Sequence, residues 1–482
     1  MATPRNIVLM IADSLRWDAV HAGGDHRLPY TAAHAITFHQ ARSGGCWTLP
    51  ATASMFTGLM PHEHGATEQT RGLRHSIPTL AERLRALGYR THMVTANVVT
   101  TEIFGLHRGF ETIERIWQTV PMRLRSVLDL LALIGKPRLR HKLLSRDLLL
   151  GRLSADLQAA GVWLQSTMEA VFERTRAILR ANEARGDRTF LFLNLMETHF
   201  PYHVGERFQT SAAGLGQKVR ELHSLYHLVN QSWLTRDKQY IRPDMLQLLR
   251  HRQRLAWERL APHVDAFLRE LREGHGATVV FGADHGDNFG EQGWQYHFAN
   301  VNDAGNRVPL FWLYHDRDVA RIDQAPISSR DLFGALLKVA GDHDPALISC
   351  VEAPERSVPI MQSYWYNNWG RTLERFRYNQ FAFVAREQRF VFRHQQWYTA
   401  PVTRADEPEP AFQPLYREVN PLYEPVDSAE RLAYVRQAFK GYCAFSDRVM
   451  QISPPGKRSE PPTVTRRGAS NQQRVTQYVH SV

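Results

Sequence analysis

The chain has 482 residues, of which 43% are hydrophobic and 22% charged, and its formal net charge is +11. These proportions are ordinary for a globular protein, and the length suffices for one large α/β core with an added subdomain. The positive charge predicts attraction to anionic substrates or surfaces and says nothing about the fold.

The sequence carries few signs of export or of membrane insertion. No window reaches the ~18–20 apolar residues that a membrane span requires. The first apolar stretch is short and is interrupted by Asp13, which argues against a secretory signal. The three cysteines (Cys46, Cys350 and Cys443) are odd in number and scattered, so they indicate neither a disulfide framework nor a zinc knuckle. We expect a soluble cytoplasmic protein.

Apolar runs alternate with helical patterns along the first 345 residues. Residues 6–12 (NIVLMIA) read as a strand that is buried on both faces of a parallel sheet. A capping box, Thr79 with Glu82, opens a helix that Gly88 ends. Further strands are predicted at 89–96, 188–196, 277–283 and 307–314, and a helix at 244–273. This alternation predicts an α/β fold whose mostly parallel sheet has helices on both faces.

Two regions depart from this alternation. Residues from about 112 to 187 lack strand signals and read as a helical insertion. From about residue 356 we expect a small C-terminal α+β subdomain, with a β-hairpin at 381–393 (FAFVAREQRFVFR) and a helix near 427–440. We therefore predict a catalytic domain over 1–355, the subdomain over 356–453, and a disordered tail over 454–482, which is rich in Pro, Ser, Arg and Gln.

Polar residues come directly after two of the predicted strands. Asp13 comes after the first strand, and Asp284 and His285 come after the strand at 277–283. Ligands bind at this end of the strands in open α/β sheets. Two carboxylates with an imidazole suit Mn²⁺, Zn²⁺ or Mg²⁺. The alternative for Asp13 alone is a helix N-cap after the strand.

Four motifs in order carry a family resemblance. They are NIVLMIADSLRWDAV, TLPATASMFTGLMPHEHG, LMETHFPY and GADHGDNFGEQG, the last followed by His297. Over residues 5–345 this order resembles the sulfatase branch of the alkaline phosphatase superfamily. The resemblance implies an α/β ester hydrolase with a metal site at the strand ends and a small terminal subdomain.

The resemblance also locates a nucleophile. The family places a Cys or Ser two residues before a proline and an arginine two residues after it. Pro50 takes the proline position, so Thr48 takes that of the nucleophile and Thr52 that of the arginine, whereas Cys46 falls two residues too early. Related phosphodiesterases and phosphoglycerol transferases use an unmodified Thr here. The alternative is that Thr48 only caps the following helix.

The remaining assignments come from the same comparison of motifs. The implied metal ligands are Asp13, Thr48, Asp284 and His285, and imidazole among them favours one Mn²⁺ or Zn²⁺, with Ca²⁺ or Mg²⁺ as further options. His199 and His297 match positions that stabilise developing charge or protonate the leaving group. Three further residues are candidates for substrate binding: Ser14, where many sulfatases have a second Asp, Thr52 at the position of the motif arginine, and Asn97 near a lysine segment of the family that is absent here.

We therefore expect a metal-dependent hydrolase or transferase that acts on phosphate or phosphonate esters. A sulfuric-ester enzyme with unmodified Thr48, and an anion-binding pseudo-enzyme, are the alternatives. The partner would be an anionic small-molecule or lipid-like ester, with no nucleic acid. Residues 126–135, flanked by Arg and Lys, read as an amphipathic cap or as a membrane-surface helix. The sequence points to no particular oligomeric state.

Overall fold

The computed structural model describes residues 5–21, 27–67, 72–116, 166–200, 202–203, 243–291, 294–297, 300–357, 360–363, 380–385, 388–393, 396–402 and 413–414. Three predictions lie wholly or mostly outside these residues: the helical insertion, whose residues 117–165 include the segment at 126–135, the helix near 427–440, and the tail at 454–482. Among the described residues, no helix has both the length and the apolar character needed to cross a membrane.

In chain order, the strands of the described residues are β1 (Asn6–Ala12), β2 (Ile36–Phe38), β3 (Ala41–Arg42), β4 (Tyr89–Thr95), β5 (Thr112–Arg115), β6 (Arg188–Leu195), β7 (Ala277–Gly282), β8 (Asn288–Phe289), β9 (Gln295–Tyr296), β10 (Leu310–Leu313), β11 (Arg321–Asp323), β12 (Ile327–Ser328), β13 (Ile360–Ser363), β14 (Gln380–Ala385), β15 (Gln388–Arg393), β16 (Gln396–Pro401) and β17 (Gln413–Pro414). The α-helices are α1 (Trp17–His21), α2 (Pro29–His34), α3 (Thr48–Thr57), α4 (Pro61–His64), α5 (Leu80–Ala86), α6 (Met168–Arg185), α7 (Pro243–Arg269), α8 (Asp303–Asn306) and α9 (Leu332–Val339).

Eight strands form the main sheet, in the order β11-β2-β10-β7-β1-β6-β4-β5. The central strand β1 pairs in parallel with β6 on one side and β7 on the other. Every residue of β1 is buried, as its continuous apolar run predicts. Among the described strands of this sheet only β10 runs antiparallel to its two neighbours, so the prediction of a mostly parallel sheet is confirmed.

The register of the sheet shows that helices cover both of its faces. Met10 pairs with Phe281, whereas Leu9, which points to the opposite face, pairs with Phe192. On the Phe281 side, the α7 residue Trp257 stacks on the Phe281 ring, with the centroids 6.0 Å apart. On the Phe192 side, the α3 residue Phe56 contacts the Phe192 ring edge to face at 4.9 Å. Both layers exclude water from the central strands.

The predicted start of the helical insertion at 112 is wrong. Residues Thr112–Arg115 form β5, which pairs in parallel with β4 at the edge of the main sheet. This strand is short and half-exposed, so it lacks the apolar run that identifies the central strands. The strand predicted at 307–314 is likewise shorter, Leu310–Leu313, because Arg307 still belongs to the turn that comes after α8.

A second sheet, antiparallel and five-stranded, has the order β13-β14-β15-β16-β17. It contains the predicted hairpin, which is formed by β14 and β15. The sheet packs on Val301 through Met361, Ala382, Val391, Tyr398 and Ala400. The small C-terminal subdomain is therefore confirmed as a sheet beside the segment at 300–307, while its boundary at residue 356 stays a prediction.

Candidate active site

Asp13 comes directly after β1, at the centre of the sheet edge where the parallel strands end. Its side chain is fully buried, and its backbone N–H donates to the Leu195 carbonyl at the end of β6 at 2.9 Å. The Asn97 and Asn194 amides both donate to Asp13 Oδ2, at 2.7 and 3.3 Å. The next residue, Ser14, has φ +60°, which turns the chain sharply away from the strand.

Asp284 and His285 come after β7, the neighbour of β1, and therefore lie beside Asp13. Asp284 Oδ1 accepts from the backbone N–H groups of Ser14 and His285, at 3.2 and 2.9 Å. His285 Nε2 lies 3.5 Å from Asp284 Oδ2 and 3.7 Å from Asp13 Oδ1. The other ring nitrogen of His285 is 3.0 Å from the Gly286 carbonyl, so Nδ1 carries the proton and Nε2 offers a lone pair.

Thr48 is the first residue of α3 and joins this group from the opposite side. Its Oγ1 lies 3.4 Å from His285 Nε2 and 3.5 Å from Asp13 Oδ2. The helix begins here because Trp47 is still extended, and the loop before it is pressed against the first turn. A Cβ at Gly45 would lie 2.7 Å from Pro50 Cβ, so only glycine fits this approach.

The two carboxylates repel each other in this buried site. Burial and the neighbouring Asp13 raise the pKa of Asp284 well above its usual value. Burial alone would also raise the pKa of Asp13, but the imidazoles of His199 and His285 and the Asn97 amide hold it below its usual value. Asp284 Oδ2 is buried and has no hydrogen-bond partner among the described residues.

These residues fit a divalent cation. Single ligand atoms from Asp13, Asp284 and His285 lie within 4.8 Å of one another. A cation among them would coordinate the unpartnered Asp284 oxygen and offset the repulsion between the carboxylates. Two oxygens and one imidazole nitrogen are a donor set that suits Mn²⁺ or Zn²⁺.

His199 and His297 lie next to this group. The ring centroids of His297 and His285 are 4.6 Å apart, and those of His297 and His199 are 5.3 Å apart. His199 Nδ1 is 2.8 Å from the Phe200 carbonyl, and Tyr296 Oη is 3.4 Å from His199 Nε2. The two predicted histidines therefore join the group beside His285.

The residues predicted to contact substrate differ in their placement. Asn97 donates to Thr48 Oγ1 at 3.4 Å as well as to Asp13, so it belongs to the group. The Ser14 hydroxyl donates to Asp13 Oδ1 at 3.1 Å, and the Ser14 N–H donates to Asp284 Oδ1. Both polar groups of Ser14 therefore contact carboxylates. Thr52 is buried one helical turn beyond Thr48, and within the described chain no hydrogen bond joins it to the group.

Several residues of the site were missed by the sequence reasoning. Asn194 lies inside β6, and a single polar residue within an apolar run gave no signal of a functional role. Asp287 accepts from Tyr202 Oη at 2.8 Å and lies 2.7 Å from His297 Nδ1. Burial raises the pKa of Asp287 to about 6 and lowers that of His297 well below its usual value. The only sequence signal for Asp287 was its place in GADHGDNFGE.

A clamp outside this group holds the loop that carries Asp284, His285 and Asp287. The buried Arg16 donates to the Asp287 carbonyl at 2.7 Å, and it pairs with Asp18 and Glu291 at 2.6 and 2.8 Å. Both carboxylates raise the pKa of Arg16 although burial opposes this, so the guanidinium stays charged. The loop is therefore fixed from its backbone as well as from its side chains.

Comparison with known proteins identifies the family and the fold. The Sulfatase family model matches residues 5–342. The fold is similar to that of the phosphonate monoester hydrolase from Silicibacter pomeroyi, with 17% identity, a TM-score of 0.56, and 92% of this chain and 95% of that chain covered.

It is also similar to an alkaline phosphatase superfamily protein from Vibrio parahaemolyticus, with 14% identity, a TM-score of 0.55, and 94% and 88% covered. A third similar fold is that of a putative sulfatase from Bacteroides thetaiotaomicron, with 14% identity, a TM-score of 0.55, and 92% and 93% covered. No curated protein matches the sequence significantly. The chain belongs to the sulfatase family, a branch of the alkaline phosphatase superfamily of ester hydrolases.

Proposed function

We propose that the protein is a metal-dependent hydrolase or transferase of phosphate or phosphonate esters, with the Thr48 hydroxyl as nucleophile. The observation that carries the proposal is the position of Thr48 Oγ1, within 3.5 Å of both His285 Nε2 and Asp13 Oδ2. A side chain that only capped α3 would accept from a backbone N–H of the first turn, and Thr48 is not part of such a cap.

Asp13, Asp284 and His285 would hold one divalent cation, with Mn²⁺ or Zn²⁺ preferred over Ca²⁺ or Mg²⁺. When bound, the cation supplies positive charge that stabilises the deprotonated hydroxyl and the oxygens of the ester. Asn97 donates toward Thr48 and Asp13 and so fixes the hydroxyl relative to the carboxylate. These contacts are in place before a substrate arrives, which lowers the reorganisation that the reaction requires.

In the first step the Thr48 oxygen attacks the phosphorus atom. The bond from Oγ1 to phosphorus forms, the bond to the ester oxygen breaks, and the proton lost by the hydroxyl is balanced by the one gained by the leaving oxygen. In the second step water, or an acceptor alcohol, attacks the threonyl ester and restores the hydroxyl. His297, with its proton on Nδ1, would accept the proton of the attacking hydroxyl or water on Nε2 and return it to the oxygen that gains charge, and His199 would lie beside it.

The chemistry of threonine favours phosphorus over sulfur. True sulfatases carry a hydrated aldehyde, which can expel sulfate by breaking a C–O bond. Thr48 has no such route, so its adduct must be attacked at the central atom. A phosphate monoester, as a dianion, also presents more negative charge to a cation and to donor side chains than a sulfate ester, whereas phosphodiesters and phosphonate monoesters carry one charge, as a sulfate ester does.

A second candidate is the hydrolysis of sulfuric esters with unmodified Thr48. It is supported by the family itself and by the similar fold of the putative sulfatase from Bacteroides thetaiotaomicron. Thr52 in the arginine position of the motif argues against it. A pseudo-enzyme that binds an anion is the third possibility, and the complete set of metal-binding side chains opposes it.

The test is an activity screen of the Mn²⁺- and Zn²⁺-loaded protein. Aryl phosphate, phosphodiester, phosphonate and sulfate substrates with one common leaving group are compared by kcat/KM, and Thr48→Ala is the control for contaminating activity. We expect a phosphorus ester to be turned over fastest and a threonyl phosphate to be trapped by acid quench. A sulfate ester that is hydrolysed faster than every phosphorus ester would favour the second candidate. A protein without turnover and without bound metal would be the pseudo-enzyme.

A further inference from the structure

Strained backbone is concentrated around the histidines of the site. Among the described residues, three non-glycine residues have positive φ: Ser14 at +60°, Tyr202 at +60° and Tyr296 at +62°. This conformation is unfavourable for a bulky side chain and persists only where the surroundings hold it. Ser14 turns the chain after Asp13. Tyr296 stacks on His297 and Tyr202 contacts Asp287, and neither tyrosine has a role in the proposed reaction.

The first tyrosine begins a chain of hydrogen bonds that ends on His297. Tyr202 Oη donates to Asp287 Oδ2 at 2.8 Å, and Asp287 Oδ1 lies 2.7 Å from His297 Nδ1. A carboxylate that accepts from Tyr202 on one oxygen can accept from the imidazole on the other. His297 then carries its proton on Nδ1, and its Nε2 lies on the side of the ring away from Asp287.

The surroundings fix all three members of this chain. None of the three residues is more than 3% exposed. Tyr202 packs in an apolar cluster with Phe200, Leu249 and Phe289, and its N–H donates to the His199 carbonyl at 2.8 Å. One tight turn therefore places His199 and also supports Asp287.

The second tyrosine limits the rotation of the same imidazole. The ring of Tyr296 stacks on that of His297, with the centroids 3.8 Å apart and an interplanar angle of 29°. The stack fixes the plane of the imidazole, while Asp287 fixes its rotation within that plane. A ring restrained in both ways presents one nitrogen in one direction, as a group that acts on a substrate oxygen must.

We propose that Asp287, held by Tyr202, is a positioning residue that selects the Nδ1–H tautomer of His297 and directs its Nε2 toward the leaving-group side of Thr48. The assignment rests on the proposed function for the identity of the reaction, but the tautomer can be measured without turnover. Asp287 would contribute to the reaction only through His297, without contacting a reacting atom.

A different use of the same atoms is a second cation. Ligand atoms of His285, Asp287 and His297 also lie within 4.8 Å of one another. His285 Nε2 already faces Asp13 and Asp284, and one imidazole nitrogen does not serve two ions. The 2.7 Å separation between Asp287 and His297 is that of a charge-assisted hydrogen bond. The observations therefore favour the hydrogen bond.

A double-mutant cycle on the metal-loaded enzyme tests the proposal. Asp287→Asn lets the amide donate to His297 Nδ1 while its oxygen accepts from Tyr202, which reverses the tautomer. We expect kcat to fall about 10²-fold with KM changed only a few-fold. In the His297→Ala background the same substitution should lower kcat by less than about threefold. Glu291→Gln weakens the contact of Arg16 with the same loop. It should lower kcat by the same factor in the wild-type and the His297→Ala backgrounds.

Two further measurements separate this proposal from the proposed function. Long-range ¹⁵N NMR of the full protein, with His297→Gln used to assign the signal, should show the Nδ1–H tautomer in the wild type and its loss in Asp287→Asn. Metal analysis should give the same stoichiometry for both proteins. An Nε2–H tautomer in the wild type, equal costs in the two backgrounds, or the loss of one ion equivalent in Asp287→Asn would each overturn the proposal. If no ester is hydrolysed, the proposed function fails and the NMR result alone decides the tautomer.

Discussion

The hydroxyl oxygen of Thr48 lies 3.4 Å from Nε2 of His285, although 237 residues separate them in the sequence. The contact arises because β1 and β7 are neighbours in the sheet and end at the same edge, where α3 begins. Open α/β sheets place ligand sites at this edge, and here the edge brings a hydroxyl, two carboxylates and an imidazole together.

We expect Thr48→Ala to remove turnover by at least about 10³-fold, since a covalent catalyst is lost. Thr48→Ser should keep a measurable rate because it keeps a hydroxyl at the same position. Cys46→Ala is the matched control on the preceding loop and should stay within a few-fold of the wild type. Steady-state kinetics on the best phosphorus ester checks the three variants. Formylglycine is the aldehyde residue whose hydrate true sulfatases use as nucleophile. A mass shift that shows formylglycine at Cys46 would contradict the assignment of Thr48.

Asp284→Asn should have opposite effects on the metal-free and the metal-loaded protein. Burial and Asp13 raise the pKa of Asp284 in the folded state, so this group contributes stability at low pH and loses it as the pH rises through the raised pKa. At pH 8 the asparagine variant should therefore unfold at a higher temperature than the wild type in chelator. Added Mn²⁺ or Zn²⁺ should raise the Tm of the wild type much more than that of the variant.

Thermal unfolding with and without metal checks this prediction, and Asp316→Asn at the exposed surface is the control. The control should behave like the wild type under both conditions. A wild type whose Tm does not respond to any divalent cation, or an Asp284→Asn protein with the full response, would remove Asp284 from the metal site.

His64 should make the protein sensitive to mild acid. Its Nδ1 accepts from the Ala66 N–H at 3.0 Å and its Nε2 lies 3.1 Å from Ser54 Oγ. Burial lowers the pKa of His64 to about 3, so the unfolded state binds a proton below pH ~6.5 that the folded state does not. The contribution of neutral His64 to the free energy of unfolding is fully present above that pH. It falls by up to ~1.4 kcal/mol per pH unit as the pH drops toward 3.

Denaturant unfolding at a series of pH values between 7 and 4 measures this slope. His64→Gln should reduce the slope by up to one proton, whereas His75→Gln at the surface should leave it unchanged. Equal slopes for the wild type and His64→Gln would show that another group carries the acid sensitivity.

Asp303 joins the C-terminal sheet to the main domain. It pairs with Arg42 at 2.8 Å and with Arg389 of β15 at 3.0 Å, and all three side chains are buried. Asp303→Asn leaves two buried guanidinium groups without the carboxylate charge. It should lower the free energy of unfolding by about 3–5 kcal/mol. Asp342→Asn, which breaks the partly exposed pair with Arg83, should cost less than about 1 kcal/mol.

Urea unfolding gives both values, and limited proteolysis shows whether the C-terminal sheet is released first in Asp303→Asn. Equal costs for the two variants would mean that the Asp303 pair contributes no more than a surface ion pair.

The sequence alone determined the central strands and the polar residues at their carboxyl ends. The run NIVLMIA is apolar throughout because both faces of β1 are covered, and such a run can be recognised locally. Asp13 and the pair Asp284 and His285 could be assigned to one edge because parallel strands end together. The order of the motifs added Thr48, His199 and His297, all of which the structure brings to the same place.

Only the tertiary structure decided which polar side chains support these groups. Asn194 lies within an apolar strand, and its contact with Asp13 depends on the pairing of β1 with β6. The link from Tyr202 through Asp287 to His297 joins residues that are 85 and 10 positions apart, and it needs a left-handed backbone that a tyrosine does not signal. The edge strand β5 was missed for a related reason. Half-exposed strands carry no apolar run, so their pairing partner, and not their own sequence, defines them.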